Sequence, residues 1–237
     1  MNHQLFNEVP RYVFISSSND ARGLLISGIL AFLTLVAVIV ALFQEPIRSW
    51  FDKAILEMKI NLSSPDCTKI LLTDQQGNPT SQSIYIRIRV NHIRGNSARN
   101  CEIMVSNFWR VGESGALKEH KGFLPMNLVW SHFNPRLMNL DIRRNLFHHC
   151  DLGFLAPFGQ GNKTILKLDT ITQPNPINNG NFPNILPAGK YVFELLLSGD
   201  NVDILRQRWE LEFSEKWSDN EQVMLQNRIS IRELTHD

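Results

Sequence analysis

A dominant charge of one sign is absent from this sequence. Lysine and arginine together number 24 and aspartate and glutamate 23, which leaves a formal net charge of +1 over 237 residues. Proteins dedicated to nucleic acid normally carry a basic surface large enough to dominate the total charge. The balance therefore argues against a nucleic-acid-binding protein, and we expect no nucleic-acid partner.

Four arginines near Tyr85 stand out from this balance. Arg87 and Arg89 alternate along a predicted strand, and Arg94 and Arg99 follow it. Arginines mixed with an aromatic residue are typical of single-strand-binding surfaces, but alternating arginines are more often the solvated face of a strand, where they oppose edge pairing. We favour the solvated face; contact with anionic lipid headgroups is an alternative for a domain that lies near a membrane.

Cysteine is scarce as well, with Cys67, Cys101 and Cys150 as the three residues of this type. Three cysteines are too few for a disulfide scaffold, and the odd number leaves at least one thiol unpaired within the chain. This favours a reducing compartment, although one disulfide beside one buried thiol would give the same pattern.

Recognisable catalytic motifs are missing. The sequence has no G-x-S-x-G and no H-E-x-x-H. The segment 159–164 approaches a phosphate loop, but Asn162 separates Gly161 from Lys163, and a strand is predicted where a P-loop needs a helix. We therefore expect no enzyme, no catalytic residue and no cofactor; a site assembled in the loops at one end of the β domain is the alternative.

The densest group of metal-ligating residue types is the run His148, His149, Cys150 and Asp151. On a strand this run offers two ligands to each face, whereas zinc needs three or four. We interpret it as solvent-facing histidines beside a core cysteine, and we expect no metal site.

The longest apolar run covers residues 24–43, twenty residues without a charged side chain. As a helix the run reaches about 30 Å, which matches the hydrocarbon thickness of a bilayer. A signal peptide has a shorter apolar core nearer the N-terminus and a small-residue cleavage site, and a buried core helix usually carries a polar stripe. We therefore predict one transmembrane helix in a cell membrane.

The flanks of this helix are less distinctive. Residues 1–23 are predicted to be a polar flank, in which Tyr12 and Phe14 suit a membrane interface and Asn19 or Asp20 suits a helix cap. Residues 44–58 show apolar residues at helical spacing, which predicts an amphipathic juxtamembrane segment; continuation of the membrane helix is the equal alternative. Alternation from Leu56 onward predicts the first strand.

Charge on the two sides of the helix bears on orientation. Arg11 and Arg22 precede the helix, while Arg48, Lys53 and Lys59 follow it. Lysine and arginine gather on the cytoplasmic side of a span. The extra cation and the odd number of cysteines together favour a cytoplasmic β domain.

Residues 59–237 are predicted to form an antiparallel β-sandwich. The segment 83–92 is the clearest strand, because its isoleucines alternate with polar residues so that one face is buried and the other wet. Tyr191 follows the segment Leu-Pro-Ala-Gly-Lys and precedes an apolar strand, as the corner tyrosine of immunoglobulin-like sandwiches does. Ser218 and Glu221 fit a capping box before a short C-terminal helix. Further strands are predicted at 68–73, 100–111, 145–155, 165–168, 192–197 and 205–213.

Five segments together resemble a group of prokaryotic single-pass membrane proteins with an immunoglobulin-like domain. They are YIRIRV (85–90), NSARNCEIMV (96–105), CDLG (150–153), LPAGKYVFELLLSGDN (186–201) and EKWSDNEQVML (215–225). No activity is attached to that group, so the resemblance implies the fold and the membrane and no reaction.

Two functions from different classes follow from this architecture. The first is a non-catalytic interaction module that recruits or senses a protein partner at the membrane. The second is a membrane effector or pore component, in which Gly23, Ser27 and Ala31 recur at every fourth residue and allow the helices of several copies to approach closely.

Overall fold

The computed structural model describes residues 18–73, 76–120, 123–159, 162–172 and 182–234. The chain divides into two compact units, residues 1–48 and residues 49–237. The first contains most of a long helix, and the second is a β domain with its own core. Tyr12 and Phe14 lie outside the described residues, as does Gly161 of the segment that approaches a phosphate loop.

Helix α1 (Ser18–Phe51) contains the predicted membrane segment. Within it, Arg22–Gln44 is long and apolar enough to cross a bilayer, with a mean hydropathy of 2.9 and no part of that window buried. It is the one such helix in the described part of the chain. Asn19 and Asp20 lie inside the helix, because α1 begins at Ser18.

The segment 44–58 contains both a helix end and a strand start. Helix α1 runs on to Phe51, and the first strand begins three residues later at Ala54. The second unit continues with thirteen further strands and one short helix in the part of the chain that is described. The elements are β1 (Ala54–Lys59), β2 (Cys67–Thr73), β3 (Pro79–Gly95), β4 (Ala98–Val111), β5 (Leu117–Glu119), β6 (Met126–Asn127), β7 (Val129–Trp130), β8 (Leu140–Ile142), β9 (Phe147–Phe158), β10 (Lys163–Leu168), β11 (Ile185–Pro187), β12 (Gly189–Gly199), β13 (Val202–Phe213), α2 (Glu221–Asn227) and β14 (Ile229–Leu234).

One continuous sheet contains the long strands, in the order β11-β10-β9-β3-β1-β13-β12-β4-β5. It curls into a half-barrel. Strand β1 joins the two halves, because it pairs antiparallel with β3 and meets β13 in parallel at Ala54 and Val202. The prediction of a mainly β domain is confirmed.

The outer edge of β4 is covered by several short segments. Strands β5, β6 and β8 pair with it in turn. Between them, the backbone N–H groups of His120 and Leu128 donate to the carbonyls of Phe108 and Ile103. Short covering segments of this kind are one way in which natural sheets protect an edge.

The alternation predicted for residues 83–92 is confirmed in β3. Ile84, Ile86, Ile88 and Val90 are at most 1% exposed, because side chains of a strand point alternately to its two faces. The predicted strands at 68–73, 100–111, 145–155, 165–168, 192–197 and 205–213 correspond to β2, β4, β9, β10, β12 and β13.

Two details near the C-terminus bear on the predictions. The hydroxyl of Tyr191 donates to the carbonyl of Pro187 at 2.6 Å, so the predicted upstream backbone bond of this tyrosine is confirmed. The predicted cap at Ser218 is wrong, because α2 begins at Glu221 and the side chain of Asn220 accepts from the N–H of Val223. Glu221 accepts instead from the N–H of Lys69 on β2, which ties the helix to that strand.

Candidate interaction surfaces

Strands β3 and β9 place arginines opposite acidic and histidine residues. Arg87 lies across from Asp151, and Arg89 lies across from His149. The two arginines point away from the core, and their side chains are only 13% and 27% exposed. The predicted solvated face is therefore wrong for these two residues. We call this surface the arginine face; it consists of Tyr85, Arg87, Arg89, Phe147, His149, Asp151 and Phe154.

Asp66 is the buried carboxylate beneath the arginine face, and its side chain is 1% exposed. It accepts from Nε2 of His149 at 2.8 Å, from Nη2 of Arg89 at 2.6 Å and from the amide of Asn61 at 2.6 Å. Burial by itself raises the pKa of Asp66, but these donors outweigh burial and hold the pKa below its ordinary value. The carboxylate is thus ionised at neutral pH and can only accept, so Nε2 of His149 carries a proton.

A second acidic group forms an ion pair with the other arginine without a hydrogen bond from its Nε. Nε of Arg87 lies 3.3 Å from the Asp151 carboxylate, which also accepts from the Ser131 hydroxyl at 2.6 Å. The rings of Tyr85 and Phe154 stack with centroids 5.3 Å apart, and the Arg87 guanidinium lies 5.9 Å from the Tyr85 ring. Burial, and then the negative charges of nearby aspartates, raise the pKa of Tyr85 to about 12, so the phenol stays neutral.

Phe147 is the most exposed aromatic side chain of the arginine face, at 52%. The Arg89 guanidinium lies 5.0 Å from its ring centroid, and the His149 ring meets it edge-on at 5.5 Å. The pairing with Asp66 and the contact with Phe147 together hold Arg89 in one position.

The candidates for metal and thiol chemistry are dispersed or buried. The predicted strand faces are confirmed, since Cys150 points into the core and is 0% exposed, whereas His149 and Asp151 lie on the arginine face. His149 is bound to Asp66, so it is not the solvent-facing histidine that was expected. Within the described ranges, no three His, Cys, Asp or Glu side chains form a group that could hold a metal ion.

The three cysteines are separate in the core and form no disulfide. Burial raises the pKa of Cys67 and of Cys101 to about 12 and raises the pKa of Cys150 well above its ordinary value. A thiolate is the reactive form of cysteine, so these thiols are unreactive in the folded domain.

His92 is a buried histidine that joins two turns. Its Nε2 lies 2.6 Å from the carbonyl oxygen of Asn96, and its Nδ1 accepts from the N–H of Asn145 at 3.5 Å. Since Nδ1 accepts, Nε2 must donate, which assigns the neutral tautomer. His92 therefore connects the end of β3 with the turn before β9.

The segment that resembles a phosphate loop enters a strand at Lys163, as expected from its departures from the motif. The ammonium group of Lys163 pairs with Glu215 at 2.6 Å. Lys163 is therefore engaged at the start of β10, where no helix follows to receive a phosphate.

The residues before β1 are fixed to two turns of the β domain. The Asp52 carboxylate accepts from the Asn96 amide at 2.8 Å and from Arg99 at 2.6 Å, and its carbonyl accepts from the Asn201 amide at 2.6 Å. A Cβ atom on Gly95 would lie 2.0 Å from the carbonyl oxygen of Lys53, and the φ of Gly95 is +95°. This end of the domain, with the starts of β1 and β9 and the ends of β3 and β12, is called the junction end.

A shallow polar cavity of about 180 Å³ lies at the junction end, lined by Asp52, Lys53, Arg99 and residues 200–203. Pockets for small ligands usually have at least about 300 Å³ and a mostly apolar lining. Lys53 and Asp203 pair across it at 2.9 Å. The cavity is therefore too small and too polar to identify a ligand.

The chain matches no protein-family description, no curated protein and no solved structure.

The structure places on one face four of the residues that were singled out from the sequence, namely Arg87, Arg89, His149 and Asp151. Arg94 and Arg99 lie at the junction end. The sequence interpretation missed Asp66, because its partners are 5, 23 and 83 residues away along the chain.

Proposed function

We propose that this chain is a single-pass membrane protein whose β domain is a non-catalytic interaction module that recruits or senses a protein partner. Residues 22–44 would hold it in the bilayer, with the β domain in the cytoplasm. The observation that carries the proposal is the arginine face, where an exposed phenylalanine and a stacked tyrosine–phenylalanine pair lie beside two half-buried arginines.

The residue types of the arginine face and the fixed positions of its arginine side chains suit a protein interface. Tyrosine, tryptophan and arginine are enriched among the residues that contribute most to protein–protein affinity. Arg89 is hydrogen-bonded to Asp66, and Arg87 donates to the carbonyl of Pro65 and lies beside Asp151, so little side-chain entropy is lost when a partner binds. Phe147 offers apolar area at one end of the face, because half of its surface is exposed.

The proposed fold of the module is a variant of the immunoglobulin-like sandwich in which β1 joins the two halves. The bond from Tyr191 to Pro187 supports this, because a tyrosine that bonds to backbone a few residues upstream is typical of such domains. The same bond supports membership of the prokaryotic group that the sequence resembles.

Photo-crosslinking in native membranes tests the interaction. A crosslinker at Phe147 in the full chain should give one discrete heteromeric product, and Tyr85→Ala should weaken it by at least tenfold, since hot-spot residues contribute about 2 kcal/mol or more. Leu117→Ala is the matched control, because Leu117 is 52% exposed on the edge strand β5. The absence of a heteromeric product from Phe147, or an equal loss with the control, would refute the proposal.

The competing function is a membrane effector or pore component that oligomerises through α1. Gly23, Ser27 and Ala31 are each four residues apart, so they share one side of the helix. A ladder of homomeric products that Ser27→Leu abolishes would favour this function.

Membrane topology has its own tests. The full chain should stay in the pellet after alkaline carbonate extraction. Protease added to intact cells should leave residues 49–237 uncut if the β domain is cytoplasmic; prompt digestion would place it outside.

A further inference from the structure

We propose that the junction end of the β domain binds the anionic headgroups of the membrane to which the chain is anchored. The surface concerned, here the basic rim, consists of Ile55, Ile93, Arg94, Arg143, Arg144 and Leu146. It adjoins the arginine face, since Leu146 precedes Phe147, but its three arginines are exposed, unlike Arg87 and Arg89. The inference rests on the proposed membrane anchor and goes beyond the recruitment of a protein.

The basic rim is formed where two segments meet. The N–H of His92 donates to the carbonyl of Leu146 at 3.0 Å, which joins the end of β3 to the turn before β9. That turn is closed by a bond from the N–H of Leu146 to the carbonyl of Arg143 at 3.2 Å. On the other side, Ile55 of β1 lies across from Arg94. Backbone pairing thus brings apolar and basic side chains to one border of the domain.

The charges of the basic rim are available to a ligand. Arg94, Arg143 and Arg144 are exposed, and in the described ranges no carboxylate lies within 4.0 Å of their guanidinium groups. By contrast, the arginines of the arginine face, Arg87 and Arg89, pair with aspartates. The other cations of the junction end, Lys53 and Arg99, do so as well. The rim therefore has three cationic groups without an internal counter-ion.

The carboxylates of the junction end are engaged by donors outside the basic rim. Asp52 binds Arg99, Asp203 pairs with Lys53, and Asp141 and Asp200 accept from the backbone and side chain of Asn100. Asp141 lies in β8 two residues before Arg143, but it forms no ion pair with an arginine of the rim in the described ranges. The rim arginines therefore keep their charge for an anionic surface.

Exposed apolar side chains lie beside these arginines. Ile93 is 55% exposed, Leu146 48% and Ile55 42%. A basic surface with apolar side chains that enter the headgroup layer is the combination by which peripheral segments bind anionic membranes. An acidic protein would satisfy the arginines, but it would not explain why they lie at the end of the domain to which the membrane span is joined in sequence.

Chain connectivity supplies the second argument for lipid. Ala54 follows Gln44, the last residue of the apolar span, by ten residues. Residues 45–51 continue helix α1 at about 1.5 Å per residue, and three residues lead from its end to Ala54, so the connection reaches at most about 20 Å. Asp52 and Lys53 are hydrogen-bonded to the junction end itself, so the chain that follows the apolar span enters the β domain at this end.

The test uses the full chain, reconstituted into vesicles of phosphatidylcholine alone or mixed with phosphatidylglycerol. A fluorophore is attached at Leu146→Cys, which is selective because Cys67, Cys101 and Cys150 are 0% exposed. Quenching by lipid that carries a spin label on its headgroup reports contact. We expect strong quenching in the anionic vesicles, little in phosphatidylcholine, and loss of quenching at high salt.

The variant Arg94→Gln/Arg143→Gln/Arg144→Gln should lower the docking equilibrium constant about a hundredfold, since each cation near an anionic surface changes it about fivefold. The matched control, Arg110→Gln/Lys118→Gln/Lys216→Gln, removes three exposed cations elsewhere on the domain and should leave quenching unchanged. Equal quenching in both kinds of vesicle, or an equal loss in the control variant, would overturn the proposal. The proposal would also be overturned if the anionic vesicles gave no quenching and a crosslinker placed at residue 146 instead captured an acidic protein.

Discussion

Replacement of Asp66 by asparagine should destabilise the β domain more than any change to an exposed carboxylate. The side chain is 1% exposed and receives donors from Arg89, His149 and Asn61. An amide presents N–H groups to at least one of these donors and removes the negative charge. Breaking a buried ion pair costs about 3–5 kcal/mol, and the 27% exposure of Arg89 lets water recover part of that.

We therefore expect Asp66→Asn to lower the free energy of unfolding by about 3 kcal/mol at pH 7. For a domain of this size each 1 kcal/mol shifts Tm by about 2–4 °C, which predicts a decrease of about 6–12 °C. Thermal unfolding of the full chain in detergent, followed by near-UV circular dichroism, measures it. Asp203→Asn is the control: its side chain is 82% exposed, and loss of the pair with Lys53 should change the free energy by at most about 1 kcal/mol.

The role assigned to Asp66 also predicts how the stability difference between the wild type and Asp66→Asn depends on pH. The pKa of Asp66 is lower in the folded domain than its ordinary value of 3.8, so its stabilising effect is complete above that value and is lost as the pH falls through the folded pKa. The Tm difference between the wild type and Asp66→Asn should therefore be constant near neutral pH and shrink in acid. A difference that is unchanged at low pH, or a control variant with an equal loss of stability, would refute the role assigned to Asp66.

Three further outcomes are expected. Gly95→Ala should lower the free energy of unfolding by about 3 kcal/mol or more, because its Cβ would lie 2.0 Å from the Lys53 carbonyl oxygen. In the control Gly115→Ala, the φ is +79° and no atom lies within 4 Å of the new Cβ, so the loss should be about 1 kcal/mol. Equal losses in the two variants would contradict this. Tyr191→Phe should cost about 1 kcal/mol in chemical denaturation through loss of the bond to Pro187, and a neutral result would show that the corner contributes nothing. The three cysteines should resist a water-soluble maleimide at pH 8 in the folded chain and react together on unfolding; labelling of the folded chain would contradict their buried state.

The parts of the fold that depend on local pattern were predictable from the sequence. Apolar residues at every second position specify β3, because side chains of a strand point alternately to its two faces. The helix is specified by the length of its uncharged apolar run. The upstream bond of Tyr191 was also predictable, since donor and acceptor are four residues apart.

The parts that depend on distant pairing were not predictable. The alternation of Arg87 and Arg89 indicates that both point the same way, but it does not show that Asp151 and Asp66 meet them there. Asp66 and His149 are 83 residues apart, and their contact follows from the order of the strands in the sheet. Ser218 was the wrong cap because Asn220, two residues later, offers a side chain with the same capacity to accept.

The covered edge of β4 affects how copies of this protein can contact one another when many lie in the same bilayer. If the span holds the protein in a bilayer, as proposed, copies would collide more often than in solution, and a long open strand would let them pair through backbone hydrogen bonds. Strands β5, β6 and β8 occupy those backbone groups piece by piece. The flank therefore presents the edges of strands of only two or three residues in place of the fourteen-residue edge of β4, which limits how far backbone pairing between copies could extend.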